Sequence, residues 1–336
     1  MFKRLFASVL FFMLASPHVF ADTLNIYTYR QPVLLKPILD AYTAKTGTDF
    51  QTVYAPKGLV QRLQSEGRNS QADIVLTVDI SRVIELAGTD LLAPLNSAVI
   101  AENVPPHLRD ADDRWTALSL RARIIAASTT RADKTKLNTI EDLAGPEWKG
   151  RVCTRKGSHV YNRALLASLI AHHGEAAAKQ WTEGLVGNLA RKPQGNDRAQ
   201  AKAIFAGECD VALMNTYYFG KMKFNEKEPD QKQWADAIEL LFFNQDGRGQ
   251  HVNISAGALL KSSKNKDEAR KFLAWLTSAE AQRLYTEVNY EYPVNPASQP
   301  SEEVASWGSF KIDELSLNEI ARISPAAQKI INETGW

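Results

Sequence analysis

The sequence predicts an α/β protein made of two lobes with a ligand-binding cleft between them. Segments typical of strands alternate with segments typical of helices from residue 24 onwards, and a second series of the same kind starts near residue 120. Such alternation favours mostly parallel sheets covered by helices on both faces. No repeat, low-complexity tract or long linker separates the two series, so we expect strands rather than a flexible tether to join the lobes.

The first series is a βαβαβ unit followed by a further helix. Short apolar runs predict strands at residues 24–29, 49–54 and 72–79, and the stretches between and after them predict helices at residues 36–46, 58–67 and up to 87. Gly47 and Gly67 stand where two of these helices end, a position that glycine favours. These elements are expected to form a mostly parallel sheet of the first lobe with helices on both of its faces.

The second series has longer helices. Strands are predicted at residues 120–125, 151–154, 209–214 and 252–257, helices at 162–173 and 267–277, and an amphipathic helical tail at 301–336. Phe272, Trp275 and Leu276 fall on one face of the helix at 267–277, which predicts that this face is buried. The length of the chain agrees with two domains of ordinary size.

The N-terminus predicts export. Lys3 and Arg4 precede an apolar run over residues 5–15, and a small-residue processing site ends at Ala21. The run is too short to span a bilayer comfortably and no stop-transfer segment follows, so a cleaved signal peptide of residues 1–21 is favoured over a membrane anchor. No cysteine stands at the cleavage site, which argues against a lipoprotein.

Charge and cysteine content narrow the class of protein further. Removing residues 1–21 takes away two basic residues and no acidic ones, which leaves equal numbers of each. A formally neutral chain gives no argument for binding nucleic acid or an acidic membrane surface. Cys153 and Cys209 both lie beside predicted strands, and in an oxidising compartment we expect them to form a disulfide. Metal ligation by the two cysteines is the weaker alternative.

The tyrosine pair Tyr217-Tyr218 is the most informative local feature. It follows an apolar run that predicts a buried strand, and Asn215-Thr216 in front of it predicts a helix cap. Open α/β sheets bind ligands at the carboxyl ends of their strands. Phenolate oxygens are hard anionic donors that suit a small, highly charged cation. Ordinary aromatic packing is the competing interpretation of the pair on its own.

Six segments in the same order carry a resemblance over essentially the whole mature chain. They are residues 26–31, 72–79, 151–155 leading to Tyr161-Asn162, Gly195-Asn196-Asp197-Arg198, 215–218 and 251–255. Together they resemble the periplasmic ferric-ion-binding proteins of bacterial iron ABC importers. The resemblance implies a periplasmic protein, monomeric and without enzymatic activity, that delivers Fe(III) to an inner-membrane ABC permease and its ATPase.

The resemblance also implies a two-lobed type 2 periplasmic-binding-protein fold, with mixed sheets flanked by helices and a ligand cleft between the lobes, whose chain crosses between the lobes more than once. The first lobe would hold residues 22–119 and about 252–288, and the second about 120–251 and 289–336. By the same resemblance Tyr161, Tyr217 and Tyr218 would be the metal ligands. Three phenolates would match the charge of the ferric ion, and since each must lose a proton with an ordinary pKa near 10, affinity should fall as pH falls.

The chain departs from the family on the first lobe. Several relatives carry a His or a His-Tyr pair just after the first strand, where this chain has Gln31-Pro32. Tyr29 alternates onto the same strand face as Tyr27 and lies at the end of the strand. We therefore expect Tyr29 or Gln31, or an anion such as (bi)carbonate, or water, to complete the coordination.

Arginines are the natural partners of such an anion, because a guanidinium offers planar donors and keeps its charge. Arg123, in an apolar segment expected to cross between the lobes, is the first choice. The other candidates are Arg30, Arg121 and Arg155, and for Arg155 a structural ion pair is an equal alternative. Asn215 and Asn253 could donate to phenolate oxygens or merely hold turns.

The histidines are weighed as ligands and set aside. His159, His172, His173 and His251 are candidates because imidazole is a common metal ligand. His172 and His173 precede Gly174 at a predicted helix end, where a positive charge is stabilised, and His251 is expected to orient its loop. Two other functions remain open: the same fold could bind a small organic or inorganic anion through arginines, or the protein could be a secreted enzyme. No nucleophile elbow, HExxH, P-loop or zinc-binding cysteine spacing supports an enzyme.

Overall fold

A computed structural model describes residues 23–336 of the chain. The predicted signal peptide, residues 1–21, lies outside the described residues. Within them, no helix is both long enough and apolar enough to cross a membrane.

Nine strands and twelve helices make up the described chain, apart from short 3₁₀ turns. The strands are β1 (Thr23–Thr28), β2 (Asp49–Tyr54), β3 (Ile74–Thr77), β4 (Leu92–Ala93), β5 (Trp115–Ser128), β6 (Val152–Cys153), β7 (Val211–Asn215), β8 (Ile238–Leu241) and β9 (Val252–Leu260). The helices are α1 (Pro32–Thr46), α2 (Leu59–Glu66), α3 (Ile80–Ala87), α4 (Ala98–Asn103), α5 (Val160–Gly187), α6 (Asp197–Phe205), α7 (Tyr217–Lys223), α8 (Gln231–Asp236), α9 (Lys266–Leu276), α10 (Ala279–Asn289), α11 (Glu302–Ser306) and α12 (Leu317–Thr334).

The strands form two mixed sheets. In the first sheet β1 runs parallel to β2 and β3, while β9 runs antiparallel to β3, β4 and β5. In the second sheet β7 and β8 run antiparallel to β5, and β6 runs parallel to β7. The alternation of elements alone predicted mostly parallel sheets, whereas the mixed sheets implied by the resemblance are confirmed. The long strand β5, which belongs to both sheets, pairs antiparallel with β7, β8 and β9 and so needs none of the helical crossovers that parallel neighbours require.

Strand β5 connects the two sheets. Its first part, up to Ala122, pairs with β9 in the first sheet, and its second part, from Arg123, pairs with β7 in the second. All of its residues are buried. Between β8 and β9 the chain returns from the second sheet to the first. After α10 it pairs with β5 once more, where Leu120 and Tyr292 exchange two backbone hydrogen bonds of 2.8 Å. The residues at which each lobe begins and ends stay a prediction.

Several helix ends differ from the sequence-based expectation. Helix α1 begins at Pro32, four residues before the predicted start, because proline is well suited to the first helical turn. Helix α5 continues beyond residue 173 after a kink at Gly174, whose φ of 80° only glycine adopts readily. The predicted cap of α7 is wrong: Thr216 has no side-chain capping bond, and Asn215 is the last residue of β7.

The predicted disulfide is confirmed. Cys153 and Cys209 are bonded, with their Cα atoms 5.9 Å apart. The bond joins β6 to the residues that lead into β7, the strand that ends just before the tyrosine pair. The buried face of α9 is also as expected, since Phe272, Trp275 and Leu276 are all buried.

Candidate ligand-binding cavity

A cavity of about 270 Å³ lies between the ends of β1 and β3 and the starts of α5 and α7. We call the residues on the β1 side, Tyr29, Arg30, Gln31, Leu34 and Val78, the first wall. The opposite residues, Tyr161, Arg198, Tyr217, Tyr218 and Lys221, are the second wall. Arg121 of β5 and Glu291, which follows α10, complete the lining where the chain passes between the sheets. Segments far apart in sequence therefore build one site.

Three phenols converge on the second wall. Tyr217 and Tyr218 open helix α7 directly after β7, and Tyr161 lies in the first turn of α5. The hydroxyl oxygens of Tyr161 and Tyr217 are 3.1 Å apart, and the ring centroids of Tyr217 and Tyr218 are 4.3 Å apart. All three tyrosines proposed from the sequence thus line the same cavity.

The environment keeps the phenols of the tyrosine pair protonated at neutral pH. Burial, reinforced by the neighbouring phenols of Tyr161 and Tyr218, raises the pKa of Tyr217 well above its ordinary value of 10. Burial, together with the nearby Asp197 carboxylate, raises the pKa of Tyr218 to about 12. A ligand that binds through phenolate oxygens must therefore displace protons, which a highly charged cation can do.

A buried network of charges lies directly behind the second wall. The Asp197 carboxylate accepts a hydrogen bond from Arg123 Nη1 at 2.7 Å and another from Arg155 Nη1 at 3.0 Å. Arg123 also donates from Nη2 to Asn162 Oδ1 at 2.6 Å and from Nη1 to Asn215 Oδ1 at 3.1 Å. Arg123, Arg155 and Asn215 therefore stand behind the tyrosines and do not line the cavity.

The first wall is built differently, with a single tyrosine. The Arg82 guanidinium lies 4.1 Å from the centroid of the Tyr29 ring. Burial raises the pKa of Tyr29, although the backbone amides of Val60 and Leu59 at the start of α2 and the charge of Arg82 oppose the shift. Tyr29 thus lines the cavity with its phenol near the start of α2, while Gln31 is exposed at the rim of the cavity.

Arg30 and Arg121 are held where the chain passes between the sheets. Arg30 Nη2 donates to both carboxylate oxygens of Glu291 at 2.9 and 3.1 Å, and Arg121 Nη1 donates to Ser255 Oγ at 3.1 Å. Ser119 also donates to Glu291. Burial alone would raise the pKa of Glu291, but the guanidiniums of Arg30 and Arg121 outweigh it and hold the pKa below its usual value. Glu291 is therefore a carboxylate at neutral pH.

The sequence-based reasoning missed three charged residues of the lining. Arg198 belongs to one of the six matched segments, and its guanidinium lies 5.2 Å from the centroid of the Tyr218 ring. Lys221 stands one helical turn after Tyr217, with Nζ 5.0 Å from that ring. The matched segment could have pointed to Arg198, and the helical spacing from Tyr217 could have pointed to Lys221. Burial, with a smaller contribution from Arg30 against the opposing charge of Glu291, lowers the pKa of Lys221 to about 8. No local signal pointed to Glu291.

The remaining candidate polar residue has a structural role. Asn253 Oδ1 accepts from the backbone amides of Ile80 and Ile254 at 3.0 and 2.8 Å, and its Nδ2 donates to Asp79. Asn253 thereby fixes the start of α3 and does not line the cavity.

None of the four candidate histidines lines the cavity. His159 caps α5 by accepting from the Tyr161 amide at 3.3 Å, and burial with the nearby arginines lowers its pKa to about 4. Burial likewise lowers the pKa of His251 to about 4. His172 pairs with Asp313 and His173 with Glu141.

Conventional metal clusters are missing from the described part of the chain. Residues 23–336 contain no group of three or more His, Cys, Asp or Glu side chains placed to hold a metal ion. A larger crevice of about 610 Å³ between α3 and α12 brings together mixed polar and apolar side chains but no tyrosine. The acidic hard donors that could reach an ion in the cavity are therefore its phenols and the carboxylate of Glu291.

Comparison with known proteins identifies the family. The sequence matches the bacterial extracellular solute-binding proteins over residues 27–283, and the chain belongs to this family. It is similar to iron uptake protein A1 of Synechocystis sp., with 40% identity over 93% of this chain and 87% of that protein.

Solved structures agree with this assignment. Ferric iron-binding protein A of Mannheimia haemolytica, in an open conformation, superposes with a TM-score of 0.88 at 44% identity, covering 94% of this chain and 99% of that one. A Trichodesmium protein in complex with iron and citrate ligands superposes with a TM-score of 0.89 at 38% identity, with the same coverage. The predicted resemblance and the two-lobed periplasmic-binding-protein fold are confirmed.

Proposed function

We propose that this protein is a periplasmic carrier of ferric iron that, after removal of residues 1–21, takes the ion into the cavity and delivers it to an ABC permease and its ATPase. It acts as a monomer and catalyses no reaction. The observation that carries the proposal is the convergence of Tyr161, Tyr217 and Tyr218 on one wall of the cavity, with the Tyr161 and Tyr217 oxygens 3.1 Å apart. The similarity to an iron uptake protein at 40% identity and to a ferric iron-binding protein at 44% identity supports it.

The chemistry of the donors favours Fe(III) over softer or less charged ions. Phenolate is a hard oxygen ligand, and three phenolates balance the 3+ charge of the ion within the cavity. The ion supplies the field that lets each phenol lose its proton despite burial. Softer ions would prefer thiolate or imidazole ligands, and neither group lines this cavity.

The rest of the lining calls for an anion that binds together with the metal. Arg30, Arg121, Arg198 and Lys221 carry positive charge, and Glu291 is the one acidic residue in the lining. A ferric ion balanced by three phenolates leaves that excess uncompensated. We propose that (bi)carbonate or a larger carboxylate completes the coordination, held by Arg30 and Arg121, in place of direct ligation by Tyr29 or Gln31. The Trichodesmium relative in complex with iron and citrate supports such a pairing.

Titration with ferric iron, supplied as a weak chelate with and without bicarbonate, tests the proposal. We expect an orange to red protein, because phenolate-to-iron charge transfer absorbs visible light. The double variant Tyr217→Phe/Tyr218→Phe should lose both the colour and tight binding. Tyr54→Phe, at a partly exposed tyrosine on β2 away from the cavity, is the matched control and should behave as the unaltered protein.

Two other results would each reject the proposal. A colourless protein after iron loading would remove the phenolate ligands from the site. Retention of an anion by iron-free protein, unchanged in the double tyrosine variant, would instead support the alternative in which arginines bind a small anion alone.

A further inference from the structure

Asp197 is fully buried at the first position of α6, directly behind the second wall. Its Oδ2 accepts from Arg123 Nη1 at 2.7 Å and from the backbone amide of Asn215 at 2.8 Å, and its Oδ1 accepts from Arg155 Nη1 at 3.0 Å. A single carboxylate thus receives hydrogen bonds from three separate segments of the chain. Buried charges are costly unless they are paired in this way.

Each of these connections leads to a phenol. The amide of Asn215 lies two residues before Tyr217 and so fixes the end of β7, from which the tyrosine pair projects. Arg123 donates at 2.6 Å to Asn162, the neighbour of Tyr161 on α5. The backbone on both sides of the phenol cluster is therefore tied to the same carboxylate.

The guanidiniums that Asp197 holds also lie close to the ring of Tyr161. Arg155 lies 5.3 Å and Arg123 5.9 Å from the centroid of the Tyr161 ring. Asn162 Nδ2 in turn donates to Thr154 Oγ1 and to the Arg155 carbonyl, both at 3.0 Å. The position of the Tyr161 ring thus depends on two arginines whose shared anion is Asp197.

We propose that Asp197 is a positioning residue for the metal site: it orients Tyr161 and the tyrosine pair relative to one another before iron arrives. The inference rests on the proposed function and goes beyond it by assigning the geometry of the three phenols to one carboxylate that never touches the ion. Groups that orient metal ligands typically contribute about 10–100-fold to affinity. Without the carboxylate, the two guanidiniums lose their common acceptor and the three segments are no longer tied together.

Asp197→Asn tests the inference, with Asp210→Asn as a matched control. Asp210 is also a carboxylate of the second sheet that bridges two arginines, at 2.7 Å from Arg131 Nε and 2.7 Å from Arg151 Nε. Its partners do not contact the tyrosines of the cavity. Both variants remove the charge of an aspartate between two arginines, but only Asp197 is connected to the phenols. Asp210 and its arginines are more exposed than Asp197 and Arg123, so we expect the control to lose less stability, and the inference is judged by the visible band and the affinity of folded protein.

Iron affinity, the visible charge-transfer band and thermal stability are measured on both variants and on the unaltered protein. We expect Asp197→Asn to bind iron about 10–100-fold more weakly and to shift the wavelength of the band, because the phenolate–iron geometry changes. Asp210→Asn should keep the band and an affinity within about threefold, whatever its loss of stability. An unshifted band and unchanged affinity in Asp197→Asn, or equal shifts in both variants, would overturn the inference.

Arg155→Gln decides the question if Asp197→Asn does not fold. Arg155 is less buried than Asp197 and provides only one of its contacts, so a folded protein with a smaller shift of the same band is expected. A folded Arg155→Gln protein with the unaltered band overturns the inference. Failure of the unaltered protein to bind iron would reject the proposed function instead, which keeps the two outcomes distinct.

Discussion

The two walls of the cavity are organised differently. The second wall presents three phenols towards the cavity together with Arg198 and Lys221, and the buried charge network around Asp197 lies behind them. The first wall has a single tyrosine, and its Arg30 is held next to Glu291 at the passage between the sheets. Only the second wall therefore offers a cluster of phenols that a metal can ionise, whereas the first wall offers one phenol and one fixed cation.

On the proposed function, this difference gives each wall a separate task. Phenols with raised pKa values bind only a cation strong enough to expel their protons, so the second wall would select for charge and hardness. Arg30 on the first wall and Arg121 of β5 repel a bare cation and attract its anion, so this side of the cavity would favour an ion that arrives with a carboxylate or carbonate. The complete cargo would have to satisfy both sides at once.

Proton release gives the largest expected effect and separates the walls directly. The phenols of the tyrosine pair have raised pKa values and are neutral in the empty protein. On the proposed function they become phenolates when they hold iron, so we expect binding to expel protons and the affinity to fall as pH falls. With three phenols from the second wall and none from the first, we expect about three protons per ion, or about a thousandfold in ferric affinity per pH unit.

A pH-stat titration with a weak ferric chelate, corrected for the protons of the chelator, provides the count. The titration is run without bicarbonate, because bicarbonate that binds as carbonate releases a proton of its own. Under that condition four protons would add Tyr29 to the ligands and erase the difference between the walls. Two or fewer would show that the second wall does not act as a unit.

Removing one phenol from the second wall should produce the next largest effect. Tyr161→Phe leaves the ring between Arg155 and Arg123 but deletes the oxygen that lies 3.1 Å from that of Tyr217. Since a ligand is lost rather than a group that orients one, we expect a loss of affinity above the roughly 100-fold limit typical of orienting groups. Competition with a chelator of known ferric affinity measures it. A loss below about tenfold would remove Tyr161 from the metal site.

The tyrosine pair of the second wall could be predicted from the sequence for a physical reason, although two charged residues of the same wall were missed. Tyr217 and Tyr218 are neighbours in the chain, and a strand followed by a helix places them at a sheet edge whatever the rest of the fold does. Arg123 was correctly placed on the connecting strand, but sequence alone could not show that Asp197 draws its guanidinium away from the cavity.

The lining of the passage between the sheets could not be predicted in this way. Glu291 lines the cavity because Tyr292 pairs with Leu120, a contact between residues more than 170 positions apart. The misplaced cap at Thr216 has the same origin, because Asn215 is occupied by the strand pairing of β7 and by Arg123. Local patterns specify elements, whereas the side of an element that faces the ligand depends on its tertiary partners.

The disulfide should affect stability much more than affinity. It closes a loop with a sequence separation of 56 behind the second wall, and Cys153→Ser/Cys209→Ser should lower the free energy of unfolding by roughly 3–4 kcal/mol. The phenols remain tied together by Asp197, so we expect the iron affinity of the folded variant to change by less than about fivefold. Urea unfolding and iron titration of the same sample measure both quantities. A large loss of affinity would make the covalent bond, rather than the buried charges, responsible for the order of the second wall.

The smallest effect is expected at the first wall, from Tyr29→Phe. The Tyr29 phenol lies near the amides at the start of α2 and its ring lies against Arg82, so we expect these groups rather than the ion to hold its oxygen. We expect iron affinity within about threefold of the unaltered protein and an unshifted charge-transfer band. Gln31→Ala, at the exposed rim, serves as the matched comparison. A shifted band in Tyr29→Phe alone would show that its phenol turns into the cavity when iron binds, so that both walls supply phenolates and the anion has a smaller share of the coordination.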